Sequence, residues 1–199
     1  MTDAPIRRRW DPLVKLTHWS VAFALLANAL FTEGGSSAHV WIGYALAGIL
    51  ALRLLWGLVG PEEARFRAFP PSPARAVAHV REIAAGKTTA HRSHNPLGAL
   101  MVYAIWGTML VIIGTGIGMA GLPSGYGADE RPAIAAGMQA GEESGEAADG
   151  EREEGPLTEV HEAAANLLYA LILLHIGGVV FESRRQRRNL ALAMLPGGR

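Results

Sequence analysis

Four histidines fall inside long apolar stretches of this sequence: His18, His39, His161 and His175. An imidazole within a stretch that can cross a bilayer is costly unless it has a partner, so each marks a candidate functional position. A neutral imidazole nitrogen is also the commonest protein ligand to metal ions. His161 and His175 share one run, LTEVHEAAANLLYALILLHIGGVVF, from Leu157 to Phe181. On an α-helix their spacing sets them roughly 21 Å apart on nearly the same face, one close to each end of a membrane-crossing segment.

The elements that must carry these residues follow from the distribution of apolar and charged positions. Half the residues are apolar and the formal net charge is zero, yet the apolar residues gather in four runs with the charges between them. The distribution points to an all-α, integral membrane four-helix bundle in a single unit over 1–199. Its spans lie at about 12–31, 38–59, 97–120 and 157–181. Arg7, Arg8 and Arg9 precede a first run with no small-residue cleavage site, so that run is expected to be retained as a span. The 61–96 connection contains ARAVAHVREIAAG, with apolar residues at helical spacing, and is expected to lie as an amphipathic helix at the membrane surface. Residues 121–156 form a long loop, acidic between Glu142 and Glu154. The chain has no cysteine, which excludes disulfides, Cys-ligated zinc, iron–sulfur clusters and covalently attached haem. No nucleic-acid partner is expected; membrane lipid is.

Lys and Arg concentrate in the N-terminal tail, the 61–96 connection and the C-terminal tail, whereas the 33–37 turn has none. The positive-inside rule therefore places both termini in the cytoplasm and the acidic loop outside. This topology converts position into depth. His18 and His175 fall near the cytoplasmic face, and His39 and His161 near the outer face. A single buried histidine is as often a hydrogen-bonded core residue as a ligand. Two depth-matched pairs on different helices are far harder to obtain by accident, and they are what bis-imidazole ligation of two haems in a bundle requires.

Arg53 lies as far along its span from His39 as His175 does from His161, hence on the same face and at the depth of the inner pair. No acidic residue sits within the first three spans, and a haem propionate would supply the carboxylate its guanidinium lacks. Lys15, one turn before His18, could serve the same end or snorkel to the headgroups. His79 is read as solvated or interfacial, and His91 as lying on the inner side. His94, immediately before Asn95 and Pro96, is a rival inner ligand, although capping suits its position better. Gly107, Gly114, Gly116 and Gly118 leave room for a macrocycle edge, or mark close helix packing, which is the favoured reading.

The segments WDPLVKLTHW, HVWIGYALAGILALRLLWGLVGP and HNPLGALMVY, followed by the His161/His175 run, resemble the prokaryotic cytochrome b561 family, which overlaps the b-type cytochrome subunits of nickel–iron hydrogenases. The K-x-x-H-W pattern at His18 and the H-x-W-x-G-Y…R-L-x-W-G pattern through His39 and Arg53 carry the resemblance. It implies a multi-pass protein of the bacterial inner membrane with two haems b, passing electrons between a quinone and a partner. It also implies that His18, His39, His161 and His175 are axial ligands. The acidic loop departs from the family pattern. Its 142–154 stretch is read either as a solvated loop or as a dock for a basic periplasmic redox protein such as a c-type cytochrome. Alternatives are a superoxide:quinone oxidoreductase, which a negative outer mouth disfavours; an anchor and electron conduit of a hydrogenase- or dehydrogenase-type complex; and a non-redox transporter or scaffold.

Overall fold

The computed structural model describes residues 11–87, 95–123, 155–187 and 189–195. Six helices account for most of them: α1 Pro12–Phe31, α2 Ser37–Val59, α3 Pro73–Ala84, α4 Pro96–Ala120, α5 Pro156–Arg185 and α6 Leu190–Ala193. The described residues contain no strand. Helices α1, α2, α4 and α5 are each long and apolar enough to cross a membrane.

Helix starts are set by local chemistry. The Asp11 carboxylate accepts a hydrogen bond from Val14 N at 3.1 Å, and Pro12 occupies the first turn of α1. Ser36 Oγ caps α2 by accepting from His39 N, and the Asn95 side chain accepts from Gly98 N at 2.7 Å at the start of α4. Proline at the first turn of α1, α3, α4 and α5 has no helical N–H bond to lose there.

The tight turn between α1 and α2 uses Gly35 at φ 76°, where a side chain would be strained. Across it, Asn28 Nδ2 donates to the His39 carbonyl at 3.4 Å, tying the top of α2 to α1. After α2, two short 3-10 turns at Glu62–Ala64 and Phe66–Ala68 fold back beneath the bundle. Phe66 lies directly on Gly57, whose missing side chain leaves the space for its ring, and both Phe66 and Phe69 pack on Tyr103 and Trp106.

The spans run antiparallel in sequence. At one end meet the start of α1, the end of α2, the start of α4 and the end of α5. Trp56 Nε1 donates to Asp11 Oδ1, and Arg185 Nη2 donates to the Lys87 carbonyl. At the other end Tyr44 Oη donates to the Gly121 carbonyl at 2.7 Å. The core between the ends is Leu46, Leu50, Met109 and Leu168, flanked by Val21, Leu25, Ile112 and Ile172. Outward, Leu16, Phe23, Leu30, Leu55, Leu110 and Leu173 are exposed around the bundle. Helices apolar on every side belong in lipid.

Three details differ from the sequence reading. Helix α5 continues past Phe181 to Arg185, because Glu182 is buried and satisfied by Arg185 Nη1 at 3.0 Å and Gln186 Nε2 at 2.6 Å. His79 is not solvated: α3 packs on α4, and the residue is 2 % exposed with Nδ1 3.5 Å from Glu82. Val77 and Val80 form the outward stripe of α3 instead. Finally, α6 folds back on α1, where Trp19 Nε1 donates to the Met194 carbonyl at 2.9 Å and Lys15 Nζ to that of Leu195 at 3.0 Å.

Candidate haem sites

One stripe of α5 reads His161, Ala164, Leu168, Ile172, His175, at steps of three, four, four and three residues. Such a row stays on one helix face, so the apolar contacts of Leu168 and Ile172 in the core orient both imidazoles inward. On α2 the corresponding row is His39, Leu46, Leu50, Arg53, Gly57, and on α1 it is His18, Val21, Leu25. Burial of the middle of each row fixes where its ends point.

The rings meet in two pairs. His18 of α1 and His175 of α5 have centroids 6.3 Å apart with planes inclined at 56°. His39 of α2 and His161 of α5 have centroids 6.2 Å apart at 63°. The core layer of Leu46, Leu50, Met109 and Leu168 lies between the two pairs. Among the described residues, the backbone of α5 runs close to α4, and α1 runs close to α2, while α5 stands off from α1 and α2. The imidazole pairs thus face each other across the wider gap of the bundle.

Two imidazoles on opposite sides of one metal, at bonds of about 2 Å each, would have ring centroids roughly 6 Å apart. Both pairs have that separation. No cluster of three or more His, Asp or Glu able to hold a metal ion is present among the described residues. Two nitrogens do not complete a tetrahedral or octahedral site from protein alone. A metal whose equatorial positions are already filled by a macrocycle needs from the protein only two axial ligands, and a bundle gap with one imidazole on each wall suits it.

Arg53 is 7 % exposed and turns toward α4, with Cζ 5.0 Å from the centre of the Trp106 ring. Its Nη2 donates to the Ala64 carbonyl over a long 3.4 Å, and its Nη1 is buried without a hydrogen-bond partner among the described residues. A buried guanidinium with an unused donor is suited to a carboxylate. Lys15, the other cation singled out in the sequence, donates instead to the Leu195 carbonyl. His91, His94 and the acidic 142–154 stretch lie outside the described residues.

The glycines of α4 divide. A side chain at Gly116 or Gly118 would touch His161 or Leu157 of α5, so close packing applies there; at Gly107 and Gly114 it would meet nothing within 4 Å. Sequence reasoning passed over Thr115, whose Oγ1 lies 2.9 Å from His161 Nδ1. The only hint was that Thr115 is one of two threonines in a largely apolar run, and such a hydroxyl ordinarily bonds back to its own helix.

The fold is a membrane four-helix bundle that brings two pairs of imidazoles together between its helices. The chain belongs to the prokaryotic cytochrome b561 family, whose family model matches residues 9–197. It is a multi-pass membrane b-type cytochrome of electron transfer, and its cofactor is b-type haem. Comparison with curated proteins and with solved structures returns no match. When bound, haem supplies a one-electron couple; the protein supplies axial ligands, charge partners and a low dielectric.

Proposed function

We propose that this protein is a dihaem cytochrome carrying electrons across the bacterial inner membrane, between the quinone pool and a periplasmic redox partner. His18 and His175 hold one haem b, and His39 and His161 hold the other. The observation that carries this reading is the pairing of imidazoles, with centroids 6.3 and 6.2 Å apart, at opposite ends of one core. Arg53, at the His18/His175 end of α2, offers its unused Nη1 to a propionate of that haem. Lys15, Arg53, Arg65, Arg75, Lys87, Arg184 and Arg185 gather at the same end. Positive charge at one end of a bundle favours its placement on the cytoplasmic side. The His39/His161 haem then faces the periplasm, and the charge of the acidic 142–154 stretch would steer a basic partner such as a c-type cytochrome to that side.

Single replacements test the assignment by haem count and spectrum. His18→Ala and His175→Ala each remove the same one of two haems; His39→Ala and His161→Ala each remove the other. Retention of both haems in His175→Ala would refute the inner pairing and direct attention to His94.

A further inference from the structure

We propose that Thr115 is a positioning residue for the outer haem: its hydroxyl accepts the Nδ1–H of His161, fixes the tautomer that leaves the Nε2 lone pair free for iron, and strengthens that nitrogen as a ligand. The inference rests on the ligand assignment above and deepens it at one of the two centres.

The tautomer follows from the geometry. Thr115 Oγ1 lies 2.8 Å from the Val111 carbonyl oxygen, 3.1 Å from that of Ile112 and 2.9 Å from His161 Nδ1. A hydroxyl has one proton and two lone pairs, and a carbonyl can only accept. The hydroxyl proton is therefore drawn to the helix carbonyls one turn back, and Oγ1 is left to accept from the imidazole. Nδ1 then carries the ring proton and Nε2 the lone pair. The ring rests in a notch on α4 formed by Thr115, which is 9 % exposed, and Gly116, where an added Cβ would stand 3.4 Å from His161 Cε1. Packing and hydrogen bond act together on a side chain that would otherwise rotate.

The two centres differ in this respect. Among the described residues, the ring nitrogens of His18, His39 and His175 have no such hydrogen bond. A ligating imidazole that donates its other N–H to an oxygen is the more basic ligand. A stronger donor favours ferric over ferrous iron, so the Thr115 hydrogen bond lowers the potential of the outer haem relative to the same site without it.

The test is a potentiometric titration of the purified dihaem protein, followed optically and by electron paramagnetic resonance of the ferric haems. In Thr115→Val one of the two midpoint potentials moves positive, the resonance of that haem shifts, and the other haem is unchanged. Thr115→Ser, which keeps the hydroxyl, restores both values. If Thr115→Val loses one haem instead, retention of both in Thr115→Ser equally supports a requirement for the hydroxyl. The proposal is overturned if Thr115→Val moves neither potential, or if valine and serine shift or lose haem alike, since the side chain's shape would then be responsible. His161→Ala separates the two levels of inference. Both haems kept in that variant would defeat the ligand assignment itself. One haem lost there, with a silent Thr115→Val, would defeat only the role given to Thr115.

Discussion

Arg53→Met should be nearly neutral in haem-free protein and costly in haem-loaded protein. In the protein alone, the guanidinium gains a cation–π contact with Trp106 at 5.0 Å and a long bond to Ala64 O at 3.4 Å. Together these contribute about 1–3 kcal/mol. Against them stands the buried Nη1 without a partner. Leaving such a donor unsatisfied costs about 1–3 kcal/mol. The terms nearly cancel, and methionine retains most of the packing volume, so the haem-free variant should differ from the parent by no more than about 1 kcal/mol. With haem bound, the same substitution strands a propionate in a buried site, which costs about 3–5 kcal/mol. The difference, about 3–5 kcal/mol, appears as weakened haem binding of roughly 100- to 4,000-fold. Thermal unfolding of both forms measures the first quantity, and the rate of haem transfer to an excess of an apo haem-binding acceptor measures the second. Release of one haem should accelerate and the other should stay unchanged. Equal destabilisation with and without haem, or unaltered release, would refute the assignment of Arg53 to a propionate.

Leu168 is 2 % exposed at the centre of the layer between the imidazole pairs. Leu168→Ala should destabilise the bundle by about 2–5 kcal/mol, read from the midpoint of detergent denaturation, because the rigid helices around it cannot close the cavity. Replacing the Glu and Asp residues of 142–154 by Gln and Asn should slow electron transfer to a basic c-type cytochrome and flatten its dependence on ionic strength. Rates and salt dependence indistinguishable from the parent would show that the loop is not a dock.

The membrane bundle was legible because hydropathy alone separates lipid-crossing runs from charged connections, and helical spacing carries His161 and His175 to one face. Pairing of His18 with His175 and of His39 with His161 could be anticipated from depth, since among the four histidines inside the spans only those combinations are level; His94, at the inner mouth of the third span, was the one rival. Less legible were features that depend on which helices touch. Nothing in the sequence says that α5 lies along α4 while standing off from α1 and α2, and that separation makes the gap the imidazoles share. Burial of His79 depends on α3 packing against α4, whereas its amphipathic pattern suits a membrane surface equally well. The end of α5 was not legible because hydropathy marks an apolar span, while the helix continues beyond it as Glu182, Arg185 and Gln186 satisfy one another. Thr115 was invisible for a related reason. A threonine bonded to its own helix and one that also holds a histidine of a neighbouring helix have the same sequence signature.

The most direct test of the central claim is a reduced-minus-oxidised absorbance spectrum of the detergent-purified protein, with haem quantified against protein. The account predicts two b-type haems per chain, low-spin in both oxidation states, as two imidazole pairs require. A single haem per chain would contradict the pairing at one end of the bundle, and a high-spin or absent haem would contradict the use of these histidines as axial ligands.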